Sequence, residues 1–359
     1  MESIILNGIR YTPQNIDQLF QPDLPVDSWW NAIGHFMQDW FDDSEYITVN
    51  TSGSTGTPKS ILLSRESMIN SARMTNQFFH LTNKSVGLLC LPVSYIAGKM
   101  MIVRAVVSGF NLLAVEPSAN PFLNLQEHVD FAAITPYQLF HSAGTLQHKW
   151  VGKIIVGGGP VTATLEVLSE NIPSELYETY GMTETCSHIA LRRFNGNDRS
   201  DDFEILDGVS IHVDVRGCLA IKAPRLLKEE IQTNDIVELK GTTSFRWLGR
   251  ADATINSGGI KIHPEQVEKK LEGLISTPCF ISSLPDEVFE NVVVLVVESD
   301  EYSSGQLENL KVKLEKGLSK YEIPKHIFFL PSFVYSESNK VLRKPTLEKA
   351  IKQDISHSC

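Results

Sequence analysis

At 359 residues with 42% apolar composition, the chain exceeds the length at which a single core usually stops growing, so two domains are expected. A formal net charge of -11 works against the uniform phosphate attraction behind non-specific nucleic-acid binding, so any polyanionic ligand needs a local site and nucleic acid is not an expected partner. Cys90, Cys186, Cys218, Cys279 and Cys359 stand singly with no C-x-x-C spacing, which fits neither a zinc site nor a disulfide framework and points to a reducing, cytoplasmic setting.

In chain order, MESIILNGIRYTPQ has no basic start followed by a long apolar stretch, so no signal peptide is expected. From Thr48 short apolar runs alternate with amphipathic stretches, the pattern of an α/β domain with sheets flanked by helices. Ser64 is the predicted N-cap of a helix running to about His80. Strands are predicted over Val86–Pro92, Asn111–Val115, Phe131–Ile134 and Lys153–Val156. The most apolar long stretch, Met100–Val115, carries Arg104 and breaks at Gly109, so no membrane span is expected. Between Ser210 and Leu248, β-branched residues alternate with turns, as in Leu219–Lys222 and Asp235–Leu239, which predicts a smaller antiparallel section. After Arg250 the pattern changes. Pro264 opens a helix predicted to about Leu274, and the continuous β-branched run Val292–Val297 predicts a buried strand. The expected division is a large α/β domain over residues 1–251 and a small α+β domain over 252–359, with the tail beyond Lys352 disordered.

One segment stands out chemically. TSGSTGTPKS, Thr51 to Ser60, packs two glycines, six hydroxyl side chains and a lysine into ten residues after a short apolar run. Small residues let backbone N–H groups approach an anion, hydroxyls donate to phosphate oxygens, and Lys59 adds charge. It is not a Walker A loop, because Thr57-Pro58 stand where that pattern needs Gly before Lys. A flexible Ser/Gly surface turn has the same composition, and the loop alone does not decide between the two.

Three further segments, YGMTET (Tyr180–Thr185), GRADATINSGGIKIHPEQVE (Gly249–Glu268) and SNKVLRK (Ser338–Lys344), follow in order. With the loop they resemble the signature set of the adenylate-forming superfamily, which includes acyl-CoA synthetases, peptide-synthetase adenylation domains and luciferases. The resemblance covers Thr48 to Lys349. It implies a large ATP- and acid-binding domain and a mobile small domain, acting with ATP, Mg²⁺ and coenzyme A on a carboxylic acid. Charge compensation around the triphosphate is then the central task. By the resemblance, Thr51, Ser52, Gly53, Ser54, Thr55, Gly56 and Lys59 hold the β/γ-phosphates, Glu184 helps hold Mg²⁺, and Thr183 faces the α-phosphate. Gly157, Gly158, Gly159 and Pro160, with Tyr180, Gly181 and Met182, flank the nucleotide. Asp235 accepts the ribose hydroxyls although Asn234 replaces the usual Gly before it, Arg250 reaches the ribose, and Asp252 is the hinge. Ser257, Gly258 and Gly259 face the carrier's route, and Lys340, preceded by Asn339 where Gly is usual, is the adenylation lysine, with Lys344 its competitor.

The region before the loop has only about fifty residues. Short chains of this kind, TPYQL (Thr135–Leu139) and YGMTETCSH (Tyr180–His188) resemble bacterial o-succinylbenzoate–CoA ligases of menaquinone biosynthesis. A dicarboxylate with an aromatic ring needs an apolar wall and a partner for its second carboxylate. Ser94, Tyr95, Lys99, Arg104 and His188 are the candidates, and Arg192 follows close behind. A CoA ligase for another aryl or medium-chain acid, or a stand-alone adenylation enzyme loading a carrier protein, stays open, as does a homo-oligomer.

Overall fold

The computed structural model describes residues 3–42, 44–50, 60–335 and 341–357, with the side chains of 50 and 355–357 outside the description. Thr51–Lys59 and Lys340 therefore lie outside the described residues. The chain divides into two compact units, one built from residues 1–212, 220–231 and 239–246, the other from 213–219, 232–238 and 247–359.

The first unit opens with β1 (Ile4–Leu6), β2 (Ile9–Tyr11) and α1 (Trp29–Phe41), then the hairpin β3 (Tyr46–Asn50) and β4 (Ser60–Ser64). In that hairpin Asn50 pairs with Ser60, so the two flanks of Thr51–Lys59 are joined. Next come α2 (Arg65–Phe79), β5 (Val86–Leu89), α3 (Ile96–Ser108), β6 (Asn111–Ala114), β7 (Val129–Ile134) and α4 (Pro136–Leu146). They are followed by β8 (Val151–Val156), α5 (Ala163–Ser169), β9 (Glu175–Gly181), β10 (His188–Arg193) and β11 (Phe203–Ile205). Ser64 caps α2 by accepting from the Ser67 N–H, and His80 ends it in the left-handed region.

These strands form a sheet ordered β11-β10-β9-β8-β7-β5-β6-β1-β2. From β1 through β9 the neighbours are parallel, whereas β10 and β11 run antiparallel. Parallel strands covered on both faces read as continuous apolar runs, and β7 shows why. Phe131 meets Phe79 of α2 on one face, while Ala132 and Ile134 join Leu139 of α4 and Leu165 of α5 on the other. Each such fully buried aliphatic or aromatic side chain contributes about 1.5–3 kcal/mol.

Residues of both units come from β12 (Ser210–Val213), β13 (Cys218–Lys222), β14 (Ile231–Leu239) and β15 (Ser244–Arg250). The second unit continues with β16 (Ile255–Ser257), β17 (Ile260–Ile262), α6 (Pro264–Leu271), β18 (Cys279–Asp286), β19 (Glu290–Glu298), α7 (Ser304–Gly317), β20 (His326–Leu330) and α8 (Arg343–His357). Its sheet runs β17-β16-β19-β18 with β20 parallel to β19. Val293, Leu295 and Val297 pack under α6 and α7, and Val294 and Val296 pack under α8. That two-sided cover explains the unbroken run Val292–Val297. The expected disorder beyond Lys352 is corrected: α8 continues to His357, because Ala350 and Ile351 seat against the Val294–Phe328 cluster and carry the helix on.

Candidate active site

The carboxyl ends of β5, β7, β8 and β9 converge on a cavity of about 480 Å³ in the first unit, the place where open parallel sheets usually receive ligands. Leu91 and Pro92 follow β5, Thr135 follows β7, Gly157 and Gly158 follow β8, and Gly181 and Met182 end β9. Helix α3 forms another wall. Its first turn folds onto the preceding segment so closely that any side chain at Gly98 would collide with the Pro92 carbonyl oxygen. The β9–β10 connection closes the site through a tight turn at Thr183–Thr185. A side chain at Gly181 would strike the Ser187 carbonyl oxygen, so the glycine of YGMTET is required sterically. Buried Thr185 anchors the turn by accepting from the Met182 N–H at 3.1 Å and lying 2.7 Å from Ser187 O. Strand β4 packs against this turn, which brings the hairpin carrying Thr51–Lys59 to the same place.

The cavity lining is mainly apolar, with one conspicuous charge. Arg104, on the inner face of α3, lines the cavity and is only 2% exposed. Its Nη2 donates to Ser187 Oγ at 2.7 Å, and Nη1 lies 3.5 Å from Met101 Sδ. Its guanidinium stands 6.0 Å from the Phe131 ring centroid. Among the described residues Nε has no hydrogen-bond partner and no carboxylate pairs with the guanidinium. Burial pushes its pKa down to about 9. Buried arginines are normally paired, and among the described residues this one has no carboxylate partner.

Ser187 is held in turn by His188, a cavity residue 4% exposed. The Thr75 hydroxyl donates to Ser71 O at 3.1 Å, so its oxygen accepts from His188 Nε2–H at 3.2 Å. His188 Nδ1 then carries the lone pair that accepts from Ser187 Oγ–H, also at 3.2 Å, leaving the Ser187 oxygen to accept from Arg104. Burial first, and then Arg104, hold His188 well below its ordinary 6.5. The unfolded chain therefore binds a proton near pH 6 that the folded chain does not, and stability falls as pH drops below 6.5, by up to about 1.4 kcal/mol per pH unit. His188→Gln is expected to reduce that slope between about pH 6.5 and 5 in thermal melts, and an unchanged slope would remove His188 as its source.

The other expected acid-pocket residues divide. Tyr95 lines the cavity while remaining 51% exposed. Ser94 is exposed and Lys99 lies elsewhere, its Nζ 4.5 Å from the Phe36 ring centroid on α1; neither lines the cavity. Of the expected nucleotide residues, Gly157, Gly158, Gly181, Met182 and Thr183 line it. Gly159 sits beside Pro136, Pro160 follows it, and the Tyr180 ring packs on Phe203 and Phe245. Ser187, Cys186 and Thr135 also line the cavity and were not singled out from the sequence. Thr135 opens TPYQL and Ser187 lies within YGMTETCSH, so their hydroxyls inside those segments were the available signal.

Glu184 is exposed on the Thr183–Thr185 turn. Among the described residues no group of three or more His, Cys, Asp or Glu could hold a metal. A lone carboxylate suits Mg²⁺ that arrives on a polyphosphate, since that ion keeps phosphate and water ligands and takes one or two carboxylates.

In the second unit, Asp235 Oδ1 accepts from Trp247 Nε1 at 3.2 Å. Arg250 makes a two-point pair with Asp252 at 2.9 and 3.1 Å. Ser257 ends β16 and Gly258–Gly259 form the turn into β17, and the Gly258 N–H donates to Phe289 O at 2.8 Å. Both flanks of residues 336–340 are fastened: Tyr335 bridges Val341, and Arg343 holds Glu268 at 2.9 and 2.8 Å.

Residues 25–211 match the AMP-binding enzyme family. The chain belongs to that family. A Dyadobacter fermentans protein described as an acyl-CoA synthetase (AMP-forming)/AMP-acid ligase II-like protein is 34% identical, with 95% of this chain and 99% of that one covered and a TM-score of 0.63. The 2-succinylbenzoate–CoA ligase of Staphylococcus epidermidis is 27% identical over 330 residues, 82% of this chain and 68% of that protein. The o-succinylbenzoate coenzyme A synthetase of Bacillus subtilis, solved with ATP and magnesium ion, shares the fold at 23% identity and a TM-score of 0.68, covering 83% of this chain and 69% of that one. Membership of the AMP-binding family accords with the α/β architecture and with a sheet whose strand ends carry the glycine-rich segments. Among the described residues no helix is long and apolar enough to cross a membrane.

Proposed function

We propose that this AMP-binding family member is an o-succinylbenzoate–CoA ligase acting in menaquinone biosynthesis. In the first half-reaction a substrate carboxylate oxygen attacks the α-phosphorus of ATP, pyrophosphate leaves, and an acyl-adenylate forms. In the second, the thiol of coenzyme A attacks the acyl carbonyl and AMP leaves. The carrying observation is buried Arg104 with no carboxylate partner among the described residues. The acid's second carboxylate would satisfy it, while the apolar walls take the ring. The names of the Staphylococcus epidermidis and Bacillus subtilis proteins support the same acid.

The remaining roles are carried over as part of this proposal. Thr51–Lys59 and Thr183 receive the phosphates, Gly157–Pro160 and Tyr180 the adenine, and Asp235 and Arg250 the ribose. Lys340 stabilises the charge that grows during adenylation. Asp252 serves as the hinge of a small domain over 252–359, and Ser257–Gly259 faces the thiol carrier. Bound Mg²⁺ would offset triphosphate charge, with Glu184 as its protein ligand. Glu184→Ala is expected to raise the Mg²⁺ concentration for half-maximal adenylation by about tenfold; a titration matching wild type removes Glu184 from the metal site.

The direct test is mass spectrometry after incubation with ATP, Mg²⁺, CoA and a panel of acids. The o-succinylbenzoyl thioester and AMP are the expected products. Efficient turnover of apolar monocarboxylates in preference to o-succinylbenzoate would replace this reading, and failure to exchange labelled pyrophosphate into ATP with any acid would end it.

A further inference from the structure

Behind the glycine-rich segment Gly157–Pro160 lies a buried charge cluster that the reaction above does not use. Thr179 and Gly181 of β9 line the cavity, so Glu178, directly before Thr179 in the strand, points to the opposite face. There, Arg192 of β10, 5% exposed, donates to Glu178 Oε2 from Nε at 2.9 Å and from Nη2 at 2.6 Å. Its Nη1 donates to Glu166 Oε1 of α5 at 2.9 Å. The second oxygen of Glu166 pairs with Arg199 at 2.8 Å. The second oxygen of Glu178 accepts the backbone N–H of Val161 at 2.9 Å, the residue directly after Pro160. At the other end of the segment, Gly157 N–H donates to Ile134 O at 3.0 Å.

Gly157–Pro160 is thus fastened at both ends, and the far fastening depends on a carboxylate whose orientation the guanidinium sets. We infer that Arg192, acting through Glu178, is a positioning residue for the nucleotide-receiving segment. The geometry explains the investment. A buried ion pair contributes little net stability over apolar packing, but a charged carboxylate locked by two donors holds an acceptor in one place for the Val161 N–H. Glu166 extends the same grip to α5, whose N-cap Thr162 adjoins Val161, so strand end, turn and helix move as one piece. Neither Arg192 nor Glu178 lines the cavity.

The inference rests on the reading that Gly157–Pro160 receives the adenine, and the experiment separates the two. Photolabelling with 8-azido-ATP, followed by peptide mapping, tests that reading. Label on the peptide carrying residues 157–160 supports it, and label confined elsewhere overturns reading and inference together. Steady-state kinetics of Glu178→Gln and Arg192→Lys then test the inference. Glu178→Gln keeps an oxygen for the Val161 N–H while turning an amide NH2 toward Arg192, so it removes the charge and both guanidinium bonds at nearly constant side-chain size. For both variants KM for ATP is expected to rise about tenfold, with KM for the acid and kcat within about twofold of wild type. Correct labelling with wild-type KM for ATP, or equal rises for ATP and acid accompanied by a lowered Tm, would reduce the cluster to a packing feature. Should Arg192→Lys fail to fold, Glu178→Gln decides alone.

Discussion

Arg104→Met is expected to lower kcat/KM for o-succinylbenzoate by about 10²–10³-fold, or ~3–4 kcal/mol of transition-state binding, while an analogue lacking the second carboxylate changes less than about threefold. The asymmetry arises because only the dicarboxylate supplies the anion that the buried guanidinium lacks. The free protein should respond in the opposite sense. Burial holds the Arg104 guanidinium at about 9, well below its ordinary value, so the unfolded chain holds that proton more tightly. The resulting penalty is fully present at neutral pH and fades only as pH climbs above about 9. Methionine removes the penalty, so the ligand-free variant should melt at or above the wild-type Tm at pH 7. The rise in Tm on adding acid should nevertheless be lost. An Arg104→Met enzyme that still preferred the dicarboxylate would end the assignment.

Lys340→Ala is expected to slow adenylation by about 10²–10³-fold yet leave thioester formation from supplied acyl-adenylate within about threefold of wild type. Pyrophosphate exchange reads the first half-reaction, and CoA-dependent consumption of synthetic adenylate reads the second. Lys344, exposed at the start of α8, should tolerate alanine in both assays. Equal losses in both half-reactions for Lys340→Ala would mean that this lysine is not specific to adenylation.

Local rules made much of the fold legible. Ser64 announces α2 because its side chain takes an N–H that no helical carbonyl can reach. The run Val292–Val297 announces a covered strand because solvent would impose alternation. What stayed hidden depends on long-range partners. Arg192 reads as a lone cation near a motif, since Glu178 and Glu166 stand 14 and 26 residues away and only β9–β10 pairing and the seating of α5 unite them. Lys99 and Arg104 illustrate a different limit. Both were expected around one acid, but five residues advance a helix by roughly 140°, so a single side of α3 cannot present both. Arg104 faces the cavity and Lys99 faces α1. The end of α8 was obscured by its polar composition, because Ala350 and Ile351 give too small an apolar signal until the cluster beneath them is known.

The placement of the cavity at the tips of four parallel strands bears on how new substrate preferences could arise. On the proposed function, the walls that would meet the acid come from the inner side of α3 and from the connection between β9 and β10, whereas the sheet beneath is pinned by its own hydrogen-bond ladder. The proposal therefore predicts that acid selectivity can be rewritten in two short stretches, 91–104 and 182–188, without renegotiating the scaffold. Transplanting them together into a relative that handles a different acid should carry the preference across, because Arg104 reaches its orientation only when Ser187 and His188 travel with it.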